Sequence, residues 1–213
     1  MNSVLIYSGG LDSTTLLYEY RDSIALAVSF DYGSKHNARE LAFARENCRR
    51  LGIRHLVIPL EFIGRYFRSD LLLGGGKIPE GSYADENMKS TVVPFRNGIM
   101  LAVAAGLAES YGLDAVMLAN HGGDHAIYPD CRPAFIEAFG AATEAGTYNG
   151  VKLLSPYCNL TKRDIALRGK ALGIDYSLTY SCYKGGEKHC GKCGTCTERK
   201  EALEGFDPTA YEK

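Results

Sequence analysis

Val4-Leu5-Ile6-Tyr7-Ser8-Gly9-Gly10-Leu11-Asp12-Ser13 decides the fold. The apolar run reads as a buried strand, and the paired glycines turn the chain into a helix that opens near Ser13. Such a turn makes an anion site. Glycines let the backbone approach a phosphate closely, and the first helix amides face it with the positive end of the dipole. Ser13, Thr14 and Thr15 add hydroxyls at the helix start. Asp12 has two candidate roles, a helix cap or a neighbour of a magnesium ion. No lysine follows the glycines, so this is not the Gly-x-x-x-x-Gly-Lys-Ser/Thr loop.

Outward from this turn, strand and helix alternate. Strands are expected at 4–7, 24–30 and 55–60, with helices at 13–20 and 37–51. Leu41, Ala44 and Cys48 share one face of the second helix, and Gly52 is its stop signal. This rhythm predicts an α/β fold: a Rossmann-like parallel sheet with helices on both faces and ligands outside the carboxyl ends of the strands. Residues 64–92 break the rhythm, with Gly74-Gly75-Gly76 and a polar run from 79 to 90. A connection this long reads as a mobile flap near the site. The rhythm resumes with helix 97–111, strand 115–119, helix 133–145 and strand 151–154. A further helix starts at Thr161, with Asp164 completing a near capping box. After Gly173 the chain reads as loop and a cysteine cluster. The division is a nucleotide-binding α/β domain over 1–176 and a small four-cysteine subdomain over 177–213.

The bulk composition excludes several classes. The chain has 213 residues and is 46% hydrophobic, which suits one α/β domain with an appendage. Its net charge of −1, from 24 basic and 25 acidic residues, argues against nucleic-acid or membrane partners. No apolar run approaches the ~20 residues of a spanning helix. A strand begins almost at once, so no signal peptide is expected. Of 7 cysteines most lie near the C-terminus. An odd, clustered set in an unsignalled chain points to a metal site in a reducing, cytoplasmic setting rather than to disulfides.

Cys182, Cys190, Cys193 and Cys196 follow the spacing C-x7-C-x2-C-x2-C. Four thiolates fill a tetrahedral sphere, so the site reads as structural; zinc and an iron–sulfur cluster both remain open at this point. His189 beside Cys190 reads as a bystander, Cys48 as core packing, and Cys131 and Cys158 as packing before nucleophile. Arg96 in Val93-Pro94-Phe95-Arg96-Asn97 stands at a helix start, where its fork suits a phosphate or carboxylate. Asn120-His121-Gly122-Gly123-Asp124-His125 follows a strand and so belongs at the carboxyl edge. Two glycines argue against a helical metal pair there. Tyr128-Pro129-Asp130-Cys131-Arg132 continues that edge. Lys162 and Arg163 oppose the dipole at a helix start, which hints at anion binding.

The turn at 8–13 resembles the SGGxDS loop of the PP-loop ATP-pyrophosphatase superfamily, the adenine nucleotide alpha hydrolase-like fold. Taken with Phe30-Asp31-Tyr32-Gly33, Val93 to Asn97, Tyr128 to Arg132 and Ser181-Cys182-Tyr183-Lys184-Gly185 before the last cysteines, the chain resembles the 7-cyano-7-deazaguanine synthase (QueC) family of queuosine biosynthesis along nearly its whole length. Two departures stand out. His121 to His125 replaces a Glu-Thr-Asp stretch, so only Asp124 carries over, and Ser181 stands where threonine is commoner.

The resemblance implies a ligase. ATP activates 7-carboxy-7-deazaguanine, ammonia gives the amide, and a second activation dehydrates it to the nitrile. It implies ATP on Ser8, Gly9, Gly10, Leu11, Asp12, Ser13, Thr14, Thr15, Leu16, Leu17 and Tyr18, with Mg²⁺ and one structural Zn²⁺ on the four cysteines. Asp12, Ser13, Arg96 and Asp130 are the catalytic candidates, and Arg96, Asp124, Asp130 and Arg132 the substrate side. A homodimer is expected, with no nucleic acid and no membrane. The rivals are a PP-loop tRNA-modifying enzyme of the thiolase type, with Cys131 as its thiol, and a non-enzymatic zinc-ribbon binding module.

Overall fold

Strand β1 (Ser3–Ile6) carries side chains that are apolar on both faces: Val4 and Leu5 are fully buried on opposite sides. A strand buried on both faces is central. The computed structural model describes residues 1–83 and 86–212. In it β1 lies between β2 (Ile24–Asp31) and β4 (Ala115–Met117) in a 5-stranded sheet of order β3-β2-β1-β4-β5, with β3 at His55–Pro59 and β5 at Lys152–Leu154. Every pairing is parallel. The order reverses between β1 and β4, and a crevice at such a switch point is where open α/β sheets bind ligands.

Helices cover both faces. Helices α1 (Leu11–Glu19), α2 (Asn37–Leu51), α6 (Lys162–Ala171) and α7 (Gly194–Ala202) form one layer, where Leu16, Leu17, Ala44, Ile165 and Ala202 pack on Leu5 and Ala27. Helix α3 (Glu61–Tyr66), α4 (Arg96–Ser110) and α5 (Pro133–Gly146) form the other, with Ile63, Leu101 and Ala104 against Val4, Val28 and Val116. Each fully buried aliphatic side chain contributes roughly 1.5–3 kcal/mol. Gly52 ends α2 in the left-handed region at φ 67°, and Thr161 and Asp164 form a complete capping box.

The connection at 64–92 differs from the expected flap. Leu71, Met88 and Thr91 are completely buried, so apolar anchors tie it to the body. Residues 84–85 of it lie outside the described residues. Helix α7 replaces the expected loop in the cysteine region. No helix among the described residues is long and apolar enough to cross a membrane.

Candidate active site and metal centre

The phosphate turn stands at the switch point. Gly9 has φ 84°, and a Cβ there would lie 2.5 Å from Glu40 O and 2.9 Å from Ala44 N, so only glycine lets the turn rest on α2. Ser8 Oγ accepts from Gly10 N at 3.1 Å and meets Ser13 Oγ at 3.0 Å, which stiffens the turn. Gly10 caps α1 with no side-chain bond, leaving the first amides of the helix available to an anion. Asp12 therefore does not cap. From the far side of the chain, Tyr180 N donates to Gly9 O at 3.1 Å and roofs the turn.

A cavity of about 210 Å³ opens beside it, walled by Ser8, Gly10, Leu11, Asp12 and Ser13. The rest of the expected nucleotide segment runs inward. Thr14 and Thr15 are buried, their hydroxyls taken by Tyr7 and by Leu11 O and Tyr176. Leu16 and Leu17 pack in the core with Tyr18 against them.

Arg96 lines the same cavity. It follows Phe95, a non-glycine residue in the left-handed region at φ 51°, whose ring covers Gly98. This strained step is over-determined by packing and aims the next side chain inward. Asp130 Oδ2 accepts from Asn97 N at 2.8 Å, a cap for α4 supplied from another segment. The Arg96 guanidinium donates to Tyr32 OH at 3.2 Å and lies 5.6 Å from the centre of its ring. Among the described residues no carboxylate lies within ion-pair reach of it. A guanidinium is charged at any working pH, so its fork is available to an incoming anion. Around it stand Tyr83, Tyr128, Tyr183 and His36, with His36 stacked on Tyr183 at 5.3 Å and the Tyr128 and Tyr183 hydroxyls 3.0 Å apart. Burial pushes the Tyr32, Tyr83 and Tyr183 phenols up, so they remain O–H donors.

Asp124 also lines the cavity, where Tyr83 OH donates to its Oδ1 at 3.0 Å. Its Oδ2 accepts from His121 N, while His121 Nδ1 accepts from Gly123 N, so the histidine run builds a short capped turn. Asp130 and Arg132 stand outside the cavity wall. Asp130 is the cap just described, and Arg132 Nε donates to His125 O at 2.9 Å. Cys131 does reach the wall, but burial pushes its thiol well up, and Asn97 Nδ2 donates to its sulfur at 3.0 Å. A thiol held protonated is a poor nucleophile. Cys48 packs in the core, its thiol pushed up to about 12 by burial.

Two cavity-side groups carried no decisive sequence signal. Lys162 Nζ lies 3.1 Å from Asp12 Oδ2 and 2.8 Å from Glu198 Oε2. Lys162 was legible as a charge opposed to its helix dipole, which hinted at anion binding, and Glu198 was not legible in a stretch read as loop.

The four cysteines converge. Their sulfurs lie within 4.8 Å of one another and are almost completely buried. A zinc–sulfur bond of about 2.3 Å makes a tetrahedron edge of about 3.8 Å, so the set fits one closed tetrahedral ion and is too tight for a multi-iron cluster. Backbone amides of Cys190, Lys192 and Cys193 point at the sulfurs at 3.4, 3.5 and 3.3 Å. The region could thus bind zinc, and Cys182, Cys190, Cys193 and Cys196 would hold it. His189 stays out of the set, its Nε2 accepting from Ser181 N at 3.1 Å. Arg199 on α7, with no exposed surface, donates to Thr179 Oγ1, Ser181 Oγ, Thr209 Oγ1 and Tyr176 O. A buried guanidinium here offsets the negative charge of a tetrathiolate centre.

Fold and turn together define a class: a Rossmann-like α/β protein with a glycine turn into a helix N-terminus at its switch point and a four-cysteine cluster that fits a metal ion. The same architecture is seen in the NMN synthetase from Francisella tularensis, at a TM-score of 0.52 and 16% identity over 98% of this chain and 79% of that one. The family model of the queuosine biosynthesis protein QueC matches residues 2–207. The 7-cyano-7-deazaguanine synthase of Porphyromonas gingivalis is 67% identical over 214 residues, 99% of this chain and 97% of that one. That of Desulfotalea psychrophila is 54% identical over 216 residues, covering 99% of each. The chain belongs to the QueC family of enzymes in queuosine biosynthesis.

Proposed function

We propose that the chain is a carbon–nitrogen ligase that converts 7-carboxy-7-deazaguanine and ammonia to 7-cyano-7-deazaguanine at the expense of ATP. The observation that carries the reading is one cavity shared by the amide end of α1 and the unpaired Arg96 guanidinium. One end suits a triphosphate and the other a carboxylate on a flat ring, framed by tyrosines.

The chemistry follows from leaving groups. A substrate carboxylate oxygen attacks the α-phosphorus of ATP and pyrophosphate departs, giving an acyl adenylate. Ammonia adds to that carbonyl, and AMP leaves with the amide formed. The amide oxygen then attacks a second α-phosphorus. Loss of AMP and two N–H protons leaves the nitrile. Ser8, Gly9, Gly10, Leu11, Asp12 and Ser13 hold the phosphates with fixed donors, which stabilise oxygen charge without reorganisation. Thr14, Thr15, Leu16, Leu17 and Tyr18 anchor the helix that presents those donors. Arg96 orients the carboxylate and Asp124 the substrate ring. Asp130 sets Arg96 by capping α4, and Arg132 secures the same wall. Asp12 Oδ1 is buried without a partner, which fits a magnesium ion carried in by the triphosphate. Bound there, the ion would neutralise phosphate charge. The α/β body over 1–176 performs this chemistry and the region 177–213 holds structural zinc. Exposed Phe95 and the largely exposed, apolar α5 offer a face for a second copy of the chain, consistent with a homodimer working in the cytoplasm. The buried, protonated Cys131 disfavours the thiolase reading.

The test is incubation of the purified protein with ATP, magnesium, ammonium and 7-carboxy-7-deazaguanine, followed by mass spectrometry. Nitrile, AMP and pyrophosphate are expected. Absence of both nitrile and amide rejects the proposal.

A further inference from the structure

Five ionisable side chains from four segments meet behind the phosphate turn: Asp12 on α1, His121 and Asp124 after β4, Lys162 on α6 and Glu198 on α7. Lys162 is the first residue of α6, where a cation opposes the dipole. Its neighbour Arg163 escapes that penalty by donating to Ala202 O and Glu204 O, carbonyls at the end of α7. Lys162 instead turns to the cavity, clamped by Asp12 and Glu198. An ammonium has three donors; Glu198 accepts one and Asp12 lies in ion-pair contact at 3.1 Å, so donor capacity remains for an anion in the cavity. The cluster is incomplete as it stands. Asp12 Oδ1 and His121 Nε2 are buried and have no hydrogen-bond partner. Gly123 N donates to His121 Nδ1, so Nε2 carries the proton and faces Asp12, Asp124 and Glu198 at 3.9, 3.6 and 3.8 Å, beyond bonding distance from each.

Glu198 comes from the metal region. Helix α7 starts at Cys193, its N-cap, and carries Cys196 in its first turn. Glu198 follows two residues later, so the sulfur anchors at the helix start and the fully buried Arg199 fix its register. Burial opposes the Lys162 charge, and Asp12 and Glu198 hold that ammonium up.

We infer that Glu198, delivered by the cysteine-anchored helix α7, is a positioning residue of the nucleotide site that with Asp12 holds Lys162 against the departing pyrophosphate. This rests on the ATP-cleaving reading above and adds to it. The metal region then does more than stabilise the fold, because it sets one clamp of a phosphate-binding cation.

The test uses the zinc-loaded full chain, with inorganic pyrophosphate as the probe in calorimetry and MgATP in steady-state kinetics. Glu198→Gln is expected to weaken pyrophosphate and raise KM for MgATP by about tenfold or more. KM for the carboxylate substrate and zinc content stay at wild-type values. Lys162→Met gives the same loss, and the double variant is no weaker than Lys162→Met alone. Unchanged pyrophosphate affinity in folded, zinc-loaded Glu198→Gln overturns the inference, as does simple additivity in the double variant. Should Glu198→Gln not fold, Glu198→Asp replaces it: a carboxylate withdrawn by one methylene must also weaken pyrophosphate, and unchanged binding again overturns it. Pyrophosphate binding needs no carboxylate substrate, so it reads out separately from nitrile formation.

Discussion

Arg96 shows how a single residue is made ready. Its guanidinium is half-buried among tyrosines without a carboxylate, and the strained backbone of Phe95 directs it. Replacing it with lysine keeps the charge and loses the fork. Arg96→Lys is expected to lower kcat/KM for the carboxylate substrate about 100-fold, with circular dichroism and Tm little changed. Turnover within twofold of wild type would remove Arg96 from the substrate side. Much of this site is local in sequence. The glycines, Asp12 and Ser13 announce an anion turn because strand, turn and helix follow one another without interruption. Arg96 was legible as a cation at a helix start, and the resemblance supplied its role. Glu198 was not legible, since its partner Lys162 lies 36 positions away and only tertiary folding joins them.

At the scale of elements, β3 is an edge strand that pairs only with β2. Its first residue, His55, meets Ser29 Oγ at 2.7 Å, and Ser29 in turn donates to Tyr7 O at the end of the central strand. Burial first, then Arg45, lowers the His55 pKa below the ordinary 6.5. The folded protein therefore binds fewer protons here than the unfolded chain, and stability falls as pH drops through that ordinary value. Between about pH 8 and about pH 5.5 the wild type should lose more Tm than His55→Gln does. Equal losses in the two proteins would show that His55 contributes nothing to the acid sensitivity. The strands and long helices were legible within a residue or two because their periodicity is strong. Helix α7 was not, since Gly194, Thr195, Cys196 and Thr197 are poor helix formers and metal-ligand spacing dominates the stretch. The buried Cys193, Cys196 and Arg199 supply what propensity lacks.

At the scale of the whole molecule, α7 carries Cys196 and Glu198 and so joins the cysteine cluster to Lys162 and Asp12 beside the glycine turn. Stripping the metal with a strong chelator is expected to lower Tm by roughly 10 °C or more, and to weaken pyrophosphate binding before global unfolding. Wild-type pyrophosphate affinity in a folded, metal-free protein would separate the two centres. The same long reach has a consequence for synthesis. Gly9 is made before the Tyr180 amide that roofs it, which follows roughly ten to thirty seconds later at ordinary translation speeds. A growing chain thus displays a glycine turn that is open on one side until then. Ribosome-bound fragments that stop short of Tyr180 would hold nucleotide poorly, and competence would arrive abruptly once it emerges.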